Sequence, residues 1–258
     1  MQLRVFGRTG MQLSVLGFGC GAVGGIMVRG DPADQERIVA RAIAAGVNYF
    51  DTAVQYGDGE SEKNLGRVLQ KLKSTNVIVG TKVRVPPGEF DRIADAVTIS
   101  LEGSLARLRL DRVDIFHLHN PITETGGGSA LSVREVLDDV VPAFERLRQQ
   151  GKTRFLGISA VGDTAALHQV IDAGVFDSAQ VVYNMLNPSA ADDLLEDYPA
   201  QNYRRLFDHT KAAGVGVVGI ATPQEFEDAL ASAQKGPLPQ AALDRLSALR
   251  QAFSGEPR

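Results

Sequence analysis

The stretch Phe50-Asp51-Thr52-Ala53-Val54-Gln55-Tyr56-Gly57 comes directly after a short apolar run and brings a carboxylate and a phenol close together in the chain. Two later apolar runs end in a similar way, with Thr81-Lys82 after one and His117-Leu118-His119-Asn120-Pro121 at the end of the other. Apolar runs that alternate with amphipathic stretches predict βα units around a parallel sheet. Because the carboxyl ends of parallel barrel strands meet at one rim, the polar side chains that follow these runs are expected to converge there.

The same alternation continues along most of the chain and predicts an α/β fold. The predicted architecture is a TIM-type (β/α)8 barrel that forms one domain over residues 1–258. A hairpin around the turn Gly7-Arg8-Thr9-Gly10 is predicted to precede the barrel. Seven barrel strands are recognisable, so the barrel is predicted to be incomplete: Leu16–Gly19, Val47–Phe50, Val77–Gly80, Val113–Leu118, Phe155–Ile158, Ser178–Val182 and Val215–Gly219. The predicted helices are Asp34–Ala45, Glu60–Leu72, Phe90–Leu108, Val133–Gln150, Thr164–Ala173, Tyr203–Ala213, Thr222–Ala233 and Leu243–Phe253.

Composition excludes several classes of function. The formal net charge of −4 gives no broad basic surface, so a nucleic-acid partner is not expected. No apolar run approaches the ~18 residues of a membrane-spanning helix, and the start of the chain lacks the apolar core of a signal peptide. Cys20 is the only cysteine, which rules out an internal disulfide and is compatible with the reducing cytoplasm. The four histidines lack the paired spacing of a zinc site, so no metal is expected.

The polar residues at the strand ends resemble the catalytic tetrad of the aldo-keto reductases and the motif around it: Asp51, Tyr56, Lys82 and His119, with Ser61-Glu62 and Leu65-Gly66 downstream. The resemblance implies an oxidoreductase that uses NADP or NAD to reduce an aldehyde or ketone, or to oxidise the alcohol. It implies Tyr56 as the general acid and base, and a small-molecule carbonyl compound as the partner.

The chemistry of the four side chains is consistent with these roles. A tyrosine with its usual pKa of ~10 is a poor acid at neutral pH, and a nearby ammonium lowers that pKa. We therefore expect Lys82 to lower the pKa of Tyr56, and Asp51 to hold the ammonium in place. His119 is expected to donate a hydrogen bond to the carbonyl oxygen, which orients and polarises it.

The resemblance also implies a set of cofactor-binding residues: Gly19, Cys20, Ser159, Gln180 and Asp228. Ser159 and Gln180 match residues that cradle the nicotinamide, whereas Ala160 stands where the family has an asparagine. The family positions that supply cations to a 2′-phosphate fall near Gly219 and on Glu225, so the Glu225 carboxylate is expected to favour NADH over NADPH. No Gly-x-Gly-x-x-Gly follows a strand and opens a helix, so a Rossmann site is not predicted.

The chain departs from the family after Gly219. In the family a loop, a helix and an eighth strand follow the seventh strand, and at least roughly 30 residues of that stretch are absent here. The phrase Val217-Val218-Gly219-Ile220 reads as a seventh and an eighth strand fused into one. We expect this loss to expose part of the sheet edge and to weaken the grip on the cofactor's pyrophosphate.

Three other readings stay open. The first is a non-catalytic relative of the family with impaired cofactor binding. The second is a barrel lyase that uses Lys82 as a Schiff-base amine, and the third is a phosphate-binding barrel without redox chemistry. The substrate and the oligomeric state do not follow from the sequence, although Asn120 and Tyr183, with Phe18 and the loop Thr123–Ser132, are expected to line the substrate pocket.

Overall fold

The computed structural model describes residues 1–21, 25–194, 200–218, 220–221, 231–232, 235 and 238–253. The described strands are, in chain order, β1 Leu3–Val5, β2 Gln12–Ser14, β3 Gly17–Gly19, β4 Tyr49–Asp51, β5 Ile78–Val83, β6 Val113–Leu118, β7 Ile122–Thr123, β8 Leu131–Ser132, β9 Thr153–Ser159, β10 Ser178–Gln180, β11 Gly216–Val218 and β12 Ile220–Ala221. Strands β1 and β2 form the predicted antiparallel hairpin. The main sheet is parallel and follows the order β11-β10-β9-β6-β5-β4-β3-β12.

Helices connect the strands and cover the outside of the sheet. The described helices are α1 Ile26–Arg29, α2 Pro32–Ala44, α3 Glu60–Leu72, α4 Ile93–Leu108, α5 Val133–Glu135, α6 Val141–Gln149, α7 Thr164–Asp172, α8 Leu206–Ala212 and α9 Gln240–Phe253. Five residues in the π conformation, Val136–Val140, join α5 to α6. Among the described residues, no helix has the length and apolar character needed to cross a bilayer.

The core lies between the sheet and the helices. Buried side chains such as Val39 on α2, Leu65 on α3 and Leu101 on α4 pack against outward-facing strand residues such as Phe50. This arrangement follows from the sequence, because the apolar positions of each helix recur at helical spacing and so form one buried face.

The N-terminal hairpin closes one end of the sheet. Its side chains Phe6, Met11 and Leu13 are buried and form a second apolar cluster with Tyr49 and Ile115 from the barrel interior. The cluster fills the end of the barrel at which the strands begin. The opposite end, where the strands finish, is therefore the one that is open to ligands.

One chain segment joins the two ends of the sheet. Val218 of β11 pairs with Gln180 of β10, and Ile220 of β12 pairs with Gly17 of β3. Because only Gly219 separates β11 from β12, this segment stands where the family has both a seventh and an eighth strand. The predicted TIM-type barrel is confirmed: the predicted seventh strand corresponds to β11, and the two-residue β12 that follows it completes the sheet order.

Several predicted boundaries were wrong for identifiable reasons. α2 begins earlier than predicted because the Asp31 side chain caps it, accepting a hydrogen bond from the Ala33 amide at 2.8 Å. α8 begins later than predicted, because Arg205 has a left-handed φ of 58° that no helix interior allows. The short helix α1 was not predicted at all. Most of the predicted helix Thr222–Ala233 lies outside the described residues.

Candidate active site

The open rim of the barrel carries the four residues of the predicted tetrad. Asp51 is the last residue of β4, Lys82 lies near the end of β5, and His119 directly follows β6. Tyr56 lies in the loop that leads from β4 to α3. Three adjacent strands of one sheet thus deliver the four side chains to the same place.

The Lys82 ammonium is the centre of the cluster. Its Nζ donates hydrogen bonds to Asp51 Oδ2 at 2.5 Å, to the Tyr56 hydroxyl at 3.0 Å and to the Thr52 carbonyl at 3.0 Å. The ion pair is sealed from water, since the Lys82 side chain is 1% exposed and that of Asp51 is 0% exposed. The His119 ring lies edge-on to the Tyr56 ring, with the centroids 6.2 Å apart. The structure brings all four predicted residues together.

The second oxygen of Asp51 has two donors of its own. Tyr49 donates to Asp51 Oδ1 at 3.1 Å, and Gln180 Nε2 donates to the same oxygen at 2.5 Å. Tyr49 fits there because Gly80 faces it, and a Cβ at Gly80 would lie 2.5 Å from the Tyr49 hydroxyl oxygen. With Lys82, three donors surround this carboxylate, so its position and that of the ammonium are fixed.

The pKa of Tyr56 shifts in the opposite direction from the expected one. Burial raises the pKa of the Tyr56 phenol, the Lys82 ammonium lowers it by less, and the Asp51 carboxylate raises it further. The prediction that Lys82 lowers this pKa overall was wrong, because the sequence did not reveal how deeply the phenol lies. Lys82 instead limits the increase, and Tyr56 is protonated at neutral pH.

At neutral pH Lys82 is positively charged and His119 is neutral. Burial opposes the charge on Lys82, but the attraction of Asp51 outweighs it and raises the pKa of the ammonium. Burial, with the positive charges of Lys82 and Arg84, lowers the pKa of His119 to about 4. The imidazole is therefore neutral at neutral pH and carries one N–H to donate. Its Nδ1 is buried and has no hydrogen-bond partner among the described residues.

Ser159 and Gln180 are placed side by side at the ends of β9 and β10, where they form a register pair. The Ser159 hydroxyl is buried and has no partner in the described part of the chain, so it is available to a ligand. Gln180 donates one amide hydrogen to Asp51, and its side-chain carbonyl oxygen accepts no hydrogen bond from the described residues, so it can serve a ligand. These groups fit a carboxamide such as that of nicotinamide. Ala160 is fully buried and supplies no side-chain amide.

The other predicted cofactor residues divide into two groups. Gly19 and Cys20 lie at the end of β3 beside Asp51, and the Cys20 amide donates to the Asp51 carbonyl at 2.8 Å. Burial raises the pKa of the Cys20 thiol, which makes it inert as a nucleophile. Asp228 and Glu225 lie outside the described residues.

Two residues predicted to line the substrate pocket, Asn120 and Phe18, are fully buried. Asn120 is fully buried, and its amide bonds the Val85 amide at 2.8 Å, the Val85 carbonyl at 2.8 Å and the Ser129 carbonyl at 3.0 Å. The backbone therefore uses all of the polar groups of the Asn120 side chain, and its place in the substrate pocket stays a prediction. Phe18 is also fully buried, 5.4 Å from Phe50 between ring centroids, in the outer core. Tyr183 is 51% exposed at the rim and packs on Phe207.

The loop over the rim is more ordered than the glycine-rich sequence indicated. Strands β7 and β8 pair within it, and the Asn120 amide holds the Ser129 carbonyl. The side chains of Ser132 and Glu135 form a capping box at the start of α5. The predicted loop Thr123–Ser132 is thus anchored at both ends.

Sequence reasoning missed a buried network behind the tetrad. Glu62 is fully buried and accepts hydrogen bonds from the Thr81 hydroxyl and from Arg107 Nε, both at 2.6 Å. Ser61 donates to the Cys20 carbonyl at 2.9 Å and lies 2.8 Å from the Thr52 hydroxyl. The signal was present, because Ser61-Glu62 belongs to the motif, but the motif does not say which atoms these side chains bind.

Comparison with known proteins agrees with this geometry. The aldo/keto reductase family model matches residues 15–223. The L-galactose dehydrogenase of Arabidopsis thaliana is 33% identical over 223 residues, which cover 86% of this chain and 65% of that protein. The NADH-specific methylglyoxal reductase of Escherichia coli is 27% identical, over 73% of this chain and 61% of that protein. The chain thus spans less than two thirds of the length of these curated relatives.

A solved structure shows the same fold. The aldo-keto reductase of Klebsiella pneumoniae in complex with NADPH superposes with a TM-score of 0.66, over 96% of this chain and 95% of that one, at 21% identity. The matched segment includes all four residues that meet at the barrel rim. The chain belongs to the aldo/keto reductase family.

Proposed function

We propose that this protein is an NAD(P)H-dependent oxidoreductase that reduces an aldehyde or ketone, or oxidises the corresponding alcohol, with Tyr56 as the general acid and base. The observation that carries the proposal is the hydrogen-bonded line from Asp51 through Lys82 to Tyr56. A buried ammonium that is held by a carboxylate and touches a phenol has no evident role in stabilising the fold. It is suited to assisting proton transfer at the phenol oxygen.

The proposed reaction adds a hydride and a proton to one carbonyl group. When bound, a reduced nicotinamide would supply the hydride for the carbonyl carbon. Tyr56 gives its proton to the carbonyl oxygen as negative charge develops there, and the resulting phenolate is stabilised by Lys82. The neutral His119 donates its N–H to the same oxygen and so orients the carbonyl group. The phenolate then recovers a proton from solvent, which completes the balance.

Ser159 and Gln180 would hold the cofactor's carboxamide. Both are at the rim beside the tetrad, and the orphaned Ser159 hydroxyl gives that end of the site an unused polar group. Relatives are known with either cofactor, since the Klebsiella pneumoniae protein was solved with NADPH and the Escherichia coli relative is named as NADH-specific. We propose NADP or NAD as the cofactor here, and NADH preference remains an expectation from Glu225.

The geometry favours this function over the alternatives. A Schiff-base lyase needs a neutral amine. Burial alone would lower the pKa of Lys82, but the attraction of Asp51 outweighs burial and raises this pKa, so the amine is charged at neutral pH. A non-catalytic relative would have no use for a buried ion pair that touches the tyrosine hydroxyl, since an unneeded buried charge costs stability. The intact Asp51–Lys82–Tyr56 line therefore supports catalysis.

The test is to compare the wild-type protein with Tyr56→Phe. Cofactor binding is measured by calorimetry with NADH and NADPH, and turnover is measured with a panel of aldehydes and ketones. We expect both proteins to bind cofactor equally, and turnover by Tyr56→Phe to fall about a thousandfold, as for loss of a general acid. Unfolding temperatures serve as the folding control. Equal turnover by the two proteins would refute Tyr56 as the acid, and a wild type that binds neither cofactor would favour the non-catalytic alternative.

A further inference from the structure

Arg84 lies beside His119 at the open rim. Lys82 pairs with His117 and Val83 with Leu118 across β5 and β6, so Arg84 and His119 are the next neighbours in register. The backbone on both sides is fixed, because the His119 amide donates to the Val83 carbonyl at 2.7 Å and the Asn120 side chain binds the amide and carbonyl of Val85. The position of Arg84 relative to the tetrad is therefore set by the fold.

The side chain of Arg84 starts on the same side of the strand as that of Lys82. Side chains alternate along a strand, and Gly80 and Lys82 face the barrel axis, as their approach to Tyr49 and Asp51 shows. Arg84 continues this row one step above Lys82, at the mouth of the site. Its positive charge acts on His119, where it contributes to the lowered pKa of the imidazole.

Arg84 differs from Lys82 in having no counter-charge. It is exposed and has no ion-pair partner in the described ranges, whereas Lys82 is neutralised by Asp51. His119 is neutral at neutral pH and Tyr56 is protonated, so Arg84 alone determines the charge of this group of side chains. Among these five side chains, Arg84 therefore carries the one positive charge that Asp51 does not neutralise.

Arg84 also lies away from the residues that fit the nicotinamide. Ser159 and Gln180 are on β9 and β10, whereas Arg84 follows β5, and β6 stands between β5 and β9 in the sheet. The free guanidinium is thus on the side of His119 that remains for the substrate. A guanidinium offers two parallel N–H donors that match a carboxylate, and one cation balances one such group.

We propose that Arg84 binds the carboxylate of the substrate, and that the preferred substrates are aldehydes or ketones that carry a carboxylate. This inference rests on the proposed function. It predicts a positioning role before reduction, in which the anionic end of the substrate is held at Arg84 while its carbonyl oxygen lies between Tyr56 and His119. Substrates without the anionic group lose this contact.

The test uses two aldehydes of the same shape, p-carboxybenzaldehyde and its neutral amide, p-carbamoylbenzaldehyde. For the wild type we expect kcat/KM to favour the carboxylate about tenfold, the effect of one charge-assisted hydrogen bond. Arg84→Met should remove this preference and Arg84→Lys should restore part of it. Arg112→Met, a matched change of an exposed arginine at the opposite end of β6, should keep the wild-type ratio. High salt should lower the ratio in the wild type but not in Arg84→Met.

A wild-type ratio near one, or the same ratio in wild type and Arg84→Met, would overturn the proposal while leaving carbonyl reduction intact. A second measurement is independent of turnover: binding of terephthalate to the purified protein by calorimetry. Binding that is lost in Arg84→Met and kept in Arg112→Met supports the anion site, even if neither aldehyde is reduced. Equal binding to the wild type and Arg84→Met overturns it.

Discussion

Tyr56 combines two environments that act in opposite directions on its proton. Burial destabilises the phenolate and raises the pKa of the phenol. The Lys82 ammonium, 3.0 Å from the hydroxyl, stabilises the phenolate and offsets part of this increase. The balance leaves the phenol protonated at neutral pH. The proposed role of Tyr56 as general acid requires this state, because the acid must hold its proton until the carbonyl oxygen becomes negative.

The pH dependence follows from this balance. Reduction requires the phenol, so kcat/KM for reduction should be flat through neutral pH and should fall only above the usual tyrosine pKa of about 10. Alcohol oxidation requires the phenolate, so its kcat/KM should rise with pH across the same range. Steady-state profiles in both directions check this. An oxidation rate that peaks near neutral pH would contradict the raised pKa of Tyr56.

At this scale the sequence predicted which four residues cluster at the rim but not their surroundings. The motif was sufficient to place Asp51, Tyr56, Lys82 and His119 together at one rim. The depth of Tyr56, and with it the direction of its pKa shift, depends on residues distant in sequence that pack around it. The Tyr49 and Gln180 contacts to Asp51 had no sequence signal, because side-chain direction is fixed only once the strands pair.

Among the helices, α3 contacts the residue of β5 that precedes Lys82. Its buried Glu62 binds the Thr81 hydroxyl, one residue before Lys82, and also pairs with Arg107 on α4. One carboxylate therefore joins two helices to the strand that carries the ammonium. Removing its charge would leave Arg107, which is 24% exposed, without its partner.

Glu62→Gln should lower the free energy of unfolding by about 3 kcal/mol, the typical cost of breaking a largely buried ion pair. Glu60→Gln on the same helix is the matched control. Its partner Lys63 is 53% exposed, and loss of such a surface pair should cost less than about 1 kcal/mol. Urea unfolding of the two variants gives the comparison. Equal stabilities would show that the Glu62 pair contributes no more than a surface contact.

Helices with a clear apolar face and long strands were predictable, whereas short elements and caps were not. α3 was predicted with its observed ends, Glu60–Leu72, because its apolar face is periodic and Leu72 is its last apolar position. α1 spans only Ile26–Arg29, too short for periodicity to reveal it. The start of α8 depends on the left-handed backbone at Arg205. This conformation could not be predicted from the sequence, because the residue is not a glycine.

For the molecule as a whole, the notable feature is how the sheet is completed. Gly216–Val218 pairs with β10 and Ile220–Ala221 pairs with β3, so one short segment contacts both end strands. The tetrad lies on β4, β5 and β6, away from that segment in the sheet order. The segment therefore pairs with none of the three strands that carry the tetrad, although Gln180, which donates to Asp51, is the register partner of Val218.

The central claim is that this barrel transfers a hydride to a carbonyl carbon while Tyr56 supplies the proton. The most direct measurement follows deuterium from NADPH or NADH, labelled at the hydride-donating carbon, into the product by mass spectrometry. With the wild type we expect an alcohol that carries one deuterium on the former carbonyl carbon, and with Tyr56→Phe almost none. An alcohol without the label, or no alcohol from any carbonyl compound when cofactor is bound, would contradict it.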